Sequence, residues 1–423
     1  MCTLDEVQRT ARQRGWLAAA EVLSRAQRGA RTLPSAERRF FADALHQMVR
    51  GLRRLRYLSG LADPGASQLY LCWLLDTWLG DPQGPPAALR AQAEAAGLRV
   101  AEVAQRRAAV EPPIPIDRLG TALSYPDWLV RLLSAEHGPE VTEAILAAQN
   151  RRAPLTVRVN LLRGPREALQ ARLAEEGVVS RPGALAAGAL VLDTRINVYG
   201  LAAFRQGWME LQDEGSQLIA ELVAPPPGGL VVDACAGAGG KTLALGSLMG
   251  NRGRILSLDI DPRKLQELRR RARRAGLTNV QARCVPPAGP PVDLLRRGAD
   301  RVLVDAPCSG LGVLRRNPEA RWRLSPSDPV ELAARQRAIL AAYAPLVAPG
   351  GRLIYATCTI LREENDAVVE DFLRHHPEFR MVPIKEILGG ERAARLGDGE
   401  RMRLLPLEED GPDGFFAAVL RRT

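Results

Sequence analysis

Leu230-Val231-Val232-Asp233-Ala234-Cys235-Ala236-Gly237-Ala238-Gly239-Gly240-Lys241-Thr242 is the stretch on which the fold turns. A continuous apolar run ending in an acid reads as a buried strand. The glycines after it read as a tight turn, and Thr242–Met249 reads as a helix. Outward from this point the pattern repeats. Arg254–Asp259, Arg301–Asp305 and Arg352–Thr357 read as strands, with helices at Pro262–Ala275 and Pro329–Val347. Continuous apolar strands alternating with helices indicate a parallel sheet covered on both faces. This α/β, Rossmann-like domain is expected over 225–423.

Upstream the character changes. Residues 121–224 read as a small α+β domain. Its helix carries Trp128, Leu129, Leu132 and Leu133, the stretch Leu155–Leu161 alternates as a strand, a second helix covers Arg166–Glu176, and Leu190-Val191-Leu192 is strand-like. Pro225-Pro226-Pro227-Gly228-Gly229 closes it. Residues 1–120 are rich in Ala, Leu, Arg and Glu and read as all-α. Ser35 is expected to cap a helix whose stripe is Phe40, Phe41, Leu45, Met48 and Leu52. Leu69–Leu75 reads as a buried helix segment, Gly80–Pro86 as a break, and Glu111–Ile116 as a linker.

Composition removes several classes. No run of apolar residues is long enough to span a membrane, and the N-terminus lacks a basic region followed by an apolar run. The six cysteines are scattered without a CxxC pair, and the four histidines show no metal-binding spacing. A reducing, cytoplasmic monomer without metal is expected. The net charge of +10 permits a polyanionic partner such as RNA. It is uneven, at +5 over 1–120, −2 over 121–229 and +7 beyond. The arginines of two dense runs (Arg263 to Arg274, Arg315 to Arg323) read as solvated surface residues.

Glycines after the first strand let backbone approach a ligand, and the helix N-terminus favours negative groups. Three ligand classes compete. A Walker loop needs glycine at 235, where this chain has Cys235. A dinucleotide loop begins at Gly237-Ala238-Gly239 but would need glycine at 242, which is Thr. The third class is S-adenosylmethionine (SAM), which also wants an acid at the end of the next strand for its ribose hydroxyls. Asp259 holds that position, with Asp261 the near alternative.

Two cysteines also follow strands, in Asp305-Ala306-Pro307-Cys308-Ser309-Gly310 and in Ala356-Thr357-Cys358-Thr359. Ligands of open α/β sheets bind beyond the carboxyl ends of strands, so both thiols belong on the edge that carries the glycine loop. Cys2, Cys72 and Cys284 read as small buried hydrophobes, and Cys235 as packing. The pair suggests a specific chemistry. Carbon 5 of cytosine is too electron-poor to attack a methyl sulfonium. A thiolate adding to C6 makes C5 nucleophilic, and a base then removes the C5 proton. Lys241 is the candidate for stabilising the thiolate, and Asp305 for orienting the base edge.

Together these motifs resemble the Sun-type RNA (cytosine-5) methyltransferase family. The matching blocks are Arg158-Val159-Asn160, Gln212–Leu218, Gly239–Thr242, Leu258–Asp261, Asp305–Gly310, Tyr355–Thr359 with Glu363-Glu364-Asn365 behind it, and Asp413–Phe416. The resemblance covers roughly 120 to 423. It implies a mainly parallel seven-stranded sheet, SAM as cofactor, and RNA as substrate, small-subunit ribosomal RNA foremost and tRNA as the alternative. It implies Cys358 as nucleophile and Cys308 as the group that assists proton removal and release. Asp305 would lie against both cofactor and cytosine. Cys235, Ala236, Gly237, Ala238, Gly239, Gly240 and Lys241 would wrap the methionine end of SAM. Residues 1 to about 140 resemble the helical RNA-binding domain related to antitermination factor NusB.

Three positions depart from the family pattern. The loop lacks its usual proline, at Ala238, and is expected to be more flexible. The third strand lacks the usual Gly-Asp pair near the adenine: Ala282–Pro291 holds no acid before Asp293. Thr359 replaces a serine. The first two departures motivate a second reading, an RNA-binding or ribosome-assembly protein with impaired catalysis.

Overall fold

The computed structural model describes residues 35–111, 114, 118–194, 196–290, 298–408 and 410–423. Cys2, most of the expected linker at 111–116, and Asp293 lie outside the described residues. By contacts the chain forms two compact units. One runs to Arg151 and includes Leu314–Pro326; the other holds Arg152–Val313 and Ser327–Thr423.

The described part of the first unit is helical. A helix begins at Ser35 and runs to Arg50, followed by Leu52–Ser59, Ala66–Trp78, Ala87–Ala95, Val100–Ala108, Asp127–His137 and Pro139–Asn150. Leu45, Leu55, Leu69, Cys72, Leu75 and Val103 form its core. This unit runs past residue 120, because Tyr125 and Asn150 pack with the chain around 321. The buried Arg321 guanidinium lies 3.9 Å over the Tyr125 ring and donates to Asn150 Oδ1 at 2.7 Å. Arg315 is buried too. These two arginines are therefore structural, not solvated as the sequence reading expected. Stacking on the Tyr125 ring and the hydrogen bonds of one nitrogen to Ser124 O and Asn150 Oδ1 offset the cost of burying this charge.

The second unit carries two sheets. β1 (Leu155–Val159), β2 (Ser180–Pro182), β3 (Ala189–Leu192) and β4 (Met209–Leu211) form an antiparallel sheet in the order β2-β3-β1-β4, with the helix Arg166–Glu175 packed on it. β5 (Leu230–Asp233), β6 (Arg254–Asp259), β7 (Val280–Cys284), β8 (Ala299–Asp305), β9 (Val347–Thr357), β10 (Phe379–Val382), β11 (Met402–Leu404) and β12 (Phe415–Arg422) form the large sheet. Its order is β10-β12-β9-β8-β5-β6-β7, seven strands in line, with short β11 adding an eighth on β12. The five strands from β9 to β7 are parallel; β12 runs against them, and β10, antiparallel to β12, runs with them again. Alternate residues point to opposite faces, and both faces are buried. Leu303, Ile354 and Ala356 enter one core; Val302, Val304, Leu353 and Tyr355 enter the other. That double burial is why these strands read as continuous apolar runs.

The reversal of strand order between β5 and β8 opens a crevice at the carboxyl edge. The loops after β5, β6, β8 and β9 all emerge there. The small sheet is fastened to this edge. Arg158 of β1 donates to Gly240 O at 2.9 Å, Asn160 donates to Gly207 O and Ala275 O, and Arg271 and Arg274 pair with buried Glu210 of β4.

Candidate active site

The loop after β5 is pinned by its own backbone. Ala236 N donates to Leu258 O, Gly239 N to Ala236 O, and Gly237 N to Asp259 Oδ2 at 2.8 Å. Arg271 donates to Ala238 O at 2.8 Å. These bonds hold the loop without the proline that the sequence lacks, so its absence at Ala238 does not leave the turn unsupported. Gly239 has φ +88° and an added Cβ would meet the buried Leu268 side chain at 2.6 Å, so only glycine fits. Gly237 has φ +53° and open space where a Cβ would point. Asp259, at the end of β6, also accepts from Asp261 N at 2.8 Å. Asp261 instead caps the next helix by accepting from Arg263 N.

Beneath the loop, Asp233 accepts from Thr242 Oγ1 at 2.6 Å, while its other oxygen is buried without a partner. Burial pushes its carboxyl up to about 7. Burial, reinforced by the charges of Asp305, Asp233 and Asp259, pushes the Cys235 thiol up to about 12, which makes it an inert packing group. An open glycine cradle, an unpartnered buried acceptor in Asp233 and the strand-end carboxylate of Asp259 fit a cofactor with a cationic amine and ribose hydroxyls. β7 ends differently. Cys284, paired in register with Asp259, is exposed rather than buried as the sequence reading expected, because β7 is the sheet edge. Its thiol lies 3.5 Å from Ile260 O.

The edges of β8 and β9 supply the reactive groups. Lys241 Nζ donates to Asp305 Oδ2 at 2.5 Å. Burial alone would lower the Lys241 pKa, but the charge and hydrogen bond of Asp305, with the charge of Cys358, raise it instead. Lys241 is thus a fixed cation. The sulfurs of Cys308 and Cys358 stand 3.4 Å apart. The hydrogen bond to Cys358, then burial, raise the Cys308 thiol well above its usual range.

Sequence reasoning gave no role to the groups behind the sulfurs. Glu364 is wholly buried. Its carboxylate accepts from Ser309 N at 2.9 Å, Thr359 Oγ1 at 3.1 Å and Gln336 Nε2 at 2.9 Å. The Ser309 and Thr359 hydroxyls are 2.8 Å apart. Gln336 was legible only as a polar residue between Ala333 and Leu340 on the buried side of its helix.

Comparison with known proteins agrees with this geometry. Residues 220–421 match the family described as 16S rRNA methyltransferase RsmB/F, and residues 125–199 match the ferredoxin-like domain of RsmF/B-like methyltransferases. The chain is 37% identical over 309 residues to the probable ribosomal RNA small subunit methyltransferase B of Bacillus subtilis strain 168, covering 73% of this chain and 68% of that one. A solved methyltransferase homolog from Pyrococcus horikoshii is 25% identical, covers 74% of this chain and 100% of its own, and has a TM-score of 0.63. NSun6 from the same organism, solved with SFG, shares the fold at 21% identity and a TM-score of 0.62, over 70% of this chain and 98% of its own.

Proposed function

The chain belongs to the 16S rRNA methyltransferase RsmB/F family, which is SAM-dependent, and on that premise we propose that it methylates carbon 5 of a cytosine through a covalent bond between Cys358 and cytosine C6. Small-subunit ribosomal RNA is the proposed substrate. The observation that carries the reading is the pair of sulfurs 3.4 Å apart beside the Lys241–Asp305 ion pair.

In this mechanism the Gly-rich loop from Cys235 to Lys241, with Asp233 and Asp259, holds the cofactor. When bound, SAM supplies an electrophilic methyl group. Cys358 adds as thiolate to C6, with buried Lys241 offsetting its charge and Asp305 fixing Lys241 and the base edge. C5 thereby becomes nucleophilic. After methylation Cys308 takes the C5 proton, the C5–C6 double bond re-forms, and the Cys358–C6 bond breaks. The raised Cys308 pKa suits this order. While Cys358 is a free thiolate, Cys308 keeps its proton. Once Cys358 is bonded to carbon, its charge is gone, and Cys308 can give its proton to solvent water and act as base. Reaching the base requires flipping it out at about a few kcal/mol, less in a loop or single strand.

We propose 1–120 as an RNA-binding helical domain, 121–224 as a connecting domain and 225–423 as the catalytic domain. Methyl transfer to unmodified 16S rRNA, read as 5-methylcytosine with Cys358→Ala as control, tests the proposal. No 5-methylcytosine from the intact protein overturns it, and product on tRNA alone would move the substrate while leaving the chemistry.

A further inference from the structure

The two sulfurs come from loops 50 residues apart, and neither loop holds its own spacing. Each cysteine is followed by a hydroxyl residue, Ser309 after Cys308 and Thr359 after Cys358, and both residues bond the same carboxylate. Glu364 takes the Ser309 backbone N–H on one oxygen and the Thr359 hydroxyl on the other. Gln336 extends the hold to the other side of Cys308. Its Nε2 donates to Glu364 Oε2 and to Pro307 O at 3.0 Å. Cys308 is therefore gripped through the residue before it and the residue after it. The carboxylate itself is fixed by its own backbone, since the Tyr355 hydroxyl donates to Glu364 O at 2.5 Å. Asn365 completes the frame on the other loop, accepting from the Thr357 hydroxyl and donating to Thr359 O at 3.1 Å.

A wholly buried carboxylate with no ion-pair partner among the described residues is costly to desolvate. Here only hydrogen bonds offset that cost, and burial raises the Glu364 pKa accordingly. An apolar residue would pack the same space at less cost. What it could not do is accept from both cysteine loops at once.

We propose that Glu364 is a positioning residue that sets the Cys308–Cys358 spacing, with Gln336 and the Thr359 hydroxyl as its two arms. Glu364 touches neither sulfur. It acts through Ser309 and Thr359, so its loss should alter the relation between the cysteines while leaving the cofactor loop, built from β5 and β6, as it is. The inference rests on the proposed roles of the two cysteines for its kinetic consequence, and on geometry alone for the spacing.

The test uses the full chain with Glu364→Leu and Glu364→Gln. Glutamine keeps an acceptor for Ser309 N and can donate to the Thr359 oxygen; leucine keeps neither. Spacing is read without catalysis, by oxidising the protein with diamide. Two thiols lose two hydrogens to the reagent and form one Cys308–Cys358 disulfide, which is mapped by mass. We expect wild type to close it readily, leucine to slow it about 10-fold or more, and glutamine to restore most of the rate. In methylation, kcat should fall about 100-fold for leucine and under about 10-fold for glutamine, with KM for RNA and the Kd for SAM within about threefold of wild type. Equal disulfide rates in wild type and a folded Glu364→Leu protein overturn the proposal. So does a leucine variant with unchanged kcat. Should Glu364→Leu not fold, Thr359→Val against Thr359→Ser decides. The proposal requires the serine variant to keep the disulfide rate and the valine variant to lose it, and equal rates overturn it. If wild type makes no 5-methylcytosine, the cysteine roles fail; the disulfide rates still report on Glu364.

Discussion

The cofactor loop and the cysteine pair share one sheet edge but are held by different kinds of bond. The loop is held through its own main-chain groups: Ala236 N to Leu258 O, Gly239 N to Ala236 O, Gly237 N to the Asp259 carboxylate, Ala238 O to Arg271 and Gly240 O to Arg158. Its side chains matter little, except where glycine alone fits. The cysteines are fixed by side chains, through Ser309, Thr359, Gln336 and Glu364. A main-chain scaffold tolerates sequence drift, which is how Ala238 can stand in place of a proline. A side-chain scaffold does not. Substitutions at the cysteine end should therefore cost far more than comparable ones at the cofactor end.

The strongest way to break this contrast is at the sulfurs. Cys358→Ala should reduce methyl transfer by about 10⁴-fold or more, since the mechanism needs the Cys358–C6 bond and assigns the neighbouring Cys308 to proton removal. Cys308→Ala should instead stall the reaction after the adduct forms, leaving a protein–RNA species that survives denaturing electrophoresis. Free, unmodified RNA in that lane would remove Cys308 as the releasing base. Next is Lys241→Met, which keeps the volume and deletes the cation between the two ends. Loss of the charge facing Cys358 should lower kcat by about 100-fold, because the developing adduct then loses a positive partner. An unchanged kcat with a weaker SAM Kd would leave Lys241 as a cofactor contact only.

At the cofactor end the expected effects shrink and become selective. Gly239→Ala meets both a φ of +88° and the Leu268 side chain, so it should cost about 1–3 kcal/mol of stability and weaken SAM binding about 10-fold in calorimetry. Arg271→Ala removes a side-chain bond to Ala238 O but no main-chain one, and should change the SAM Kd by under about threefold. Equal losses from the two variants would mean that the loop, too, depends on side-chain props.

The same contrast explains what was legible in the sequence. Strand, loop and helix from 230 to 248 follow from local pattern, and Asp259, Cys308 and Cys358 follow from their places at strand ends. Each reading needs only neighbours along the chain. The Glu364–Gln336 contact joins residues 28 apart, and Glu364–Ser309 joins residues 55 apart. Sequence shows that these residues are polar, not that they are buried against one another. Arg315 and Arg321 were misread for the same reason. The burial of Arg321 depends on Tyr125 and Asn150, which lie far back along the chain. Cys284 failed in the opposite sense. Its strand, Val280–Cys284, alternates apolar and polar residues, and the strand order shows it to be the edge.

At Asp233 the expected effect depends on pH. Its folded pKa is raised to about 7 from the ordinary 3.8, so between those values the native state binds a proton that the unfolded chain has released. The sign follows. Asp233 costs nothing below about pH 4 and becomes progressively destabilising as pH rises through 7, by at most about 4 kcal/mol at roughly 1.4 kcal/mol per pKa unit. Asp233→Asn keeps an acceptor for Thr242 Oγ1 and never ionises. Its Tm should therefore lie near that of wild type at pH 5 and several degrees above it at pH 8. Adding SAM should narrow the gap, because the unpartnered Asp233 oxygen then gains a cationic donor that asparagine cannot use as well. Parallel Tm curves for the two proteins across that pH range, without cofactor, would mean that Asp233 is ionised and solvated at no cost. The cofactor end would then hold a satisfied carboxylate, and its unpartnered oxygen would no longer mark where the cofactor's amine belongs.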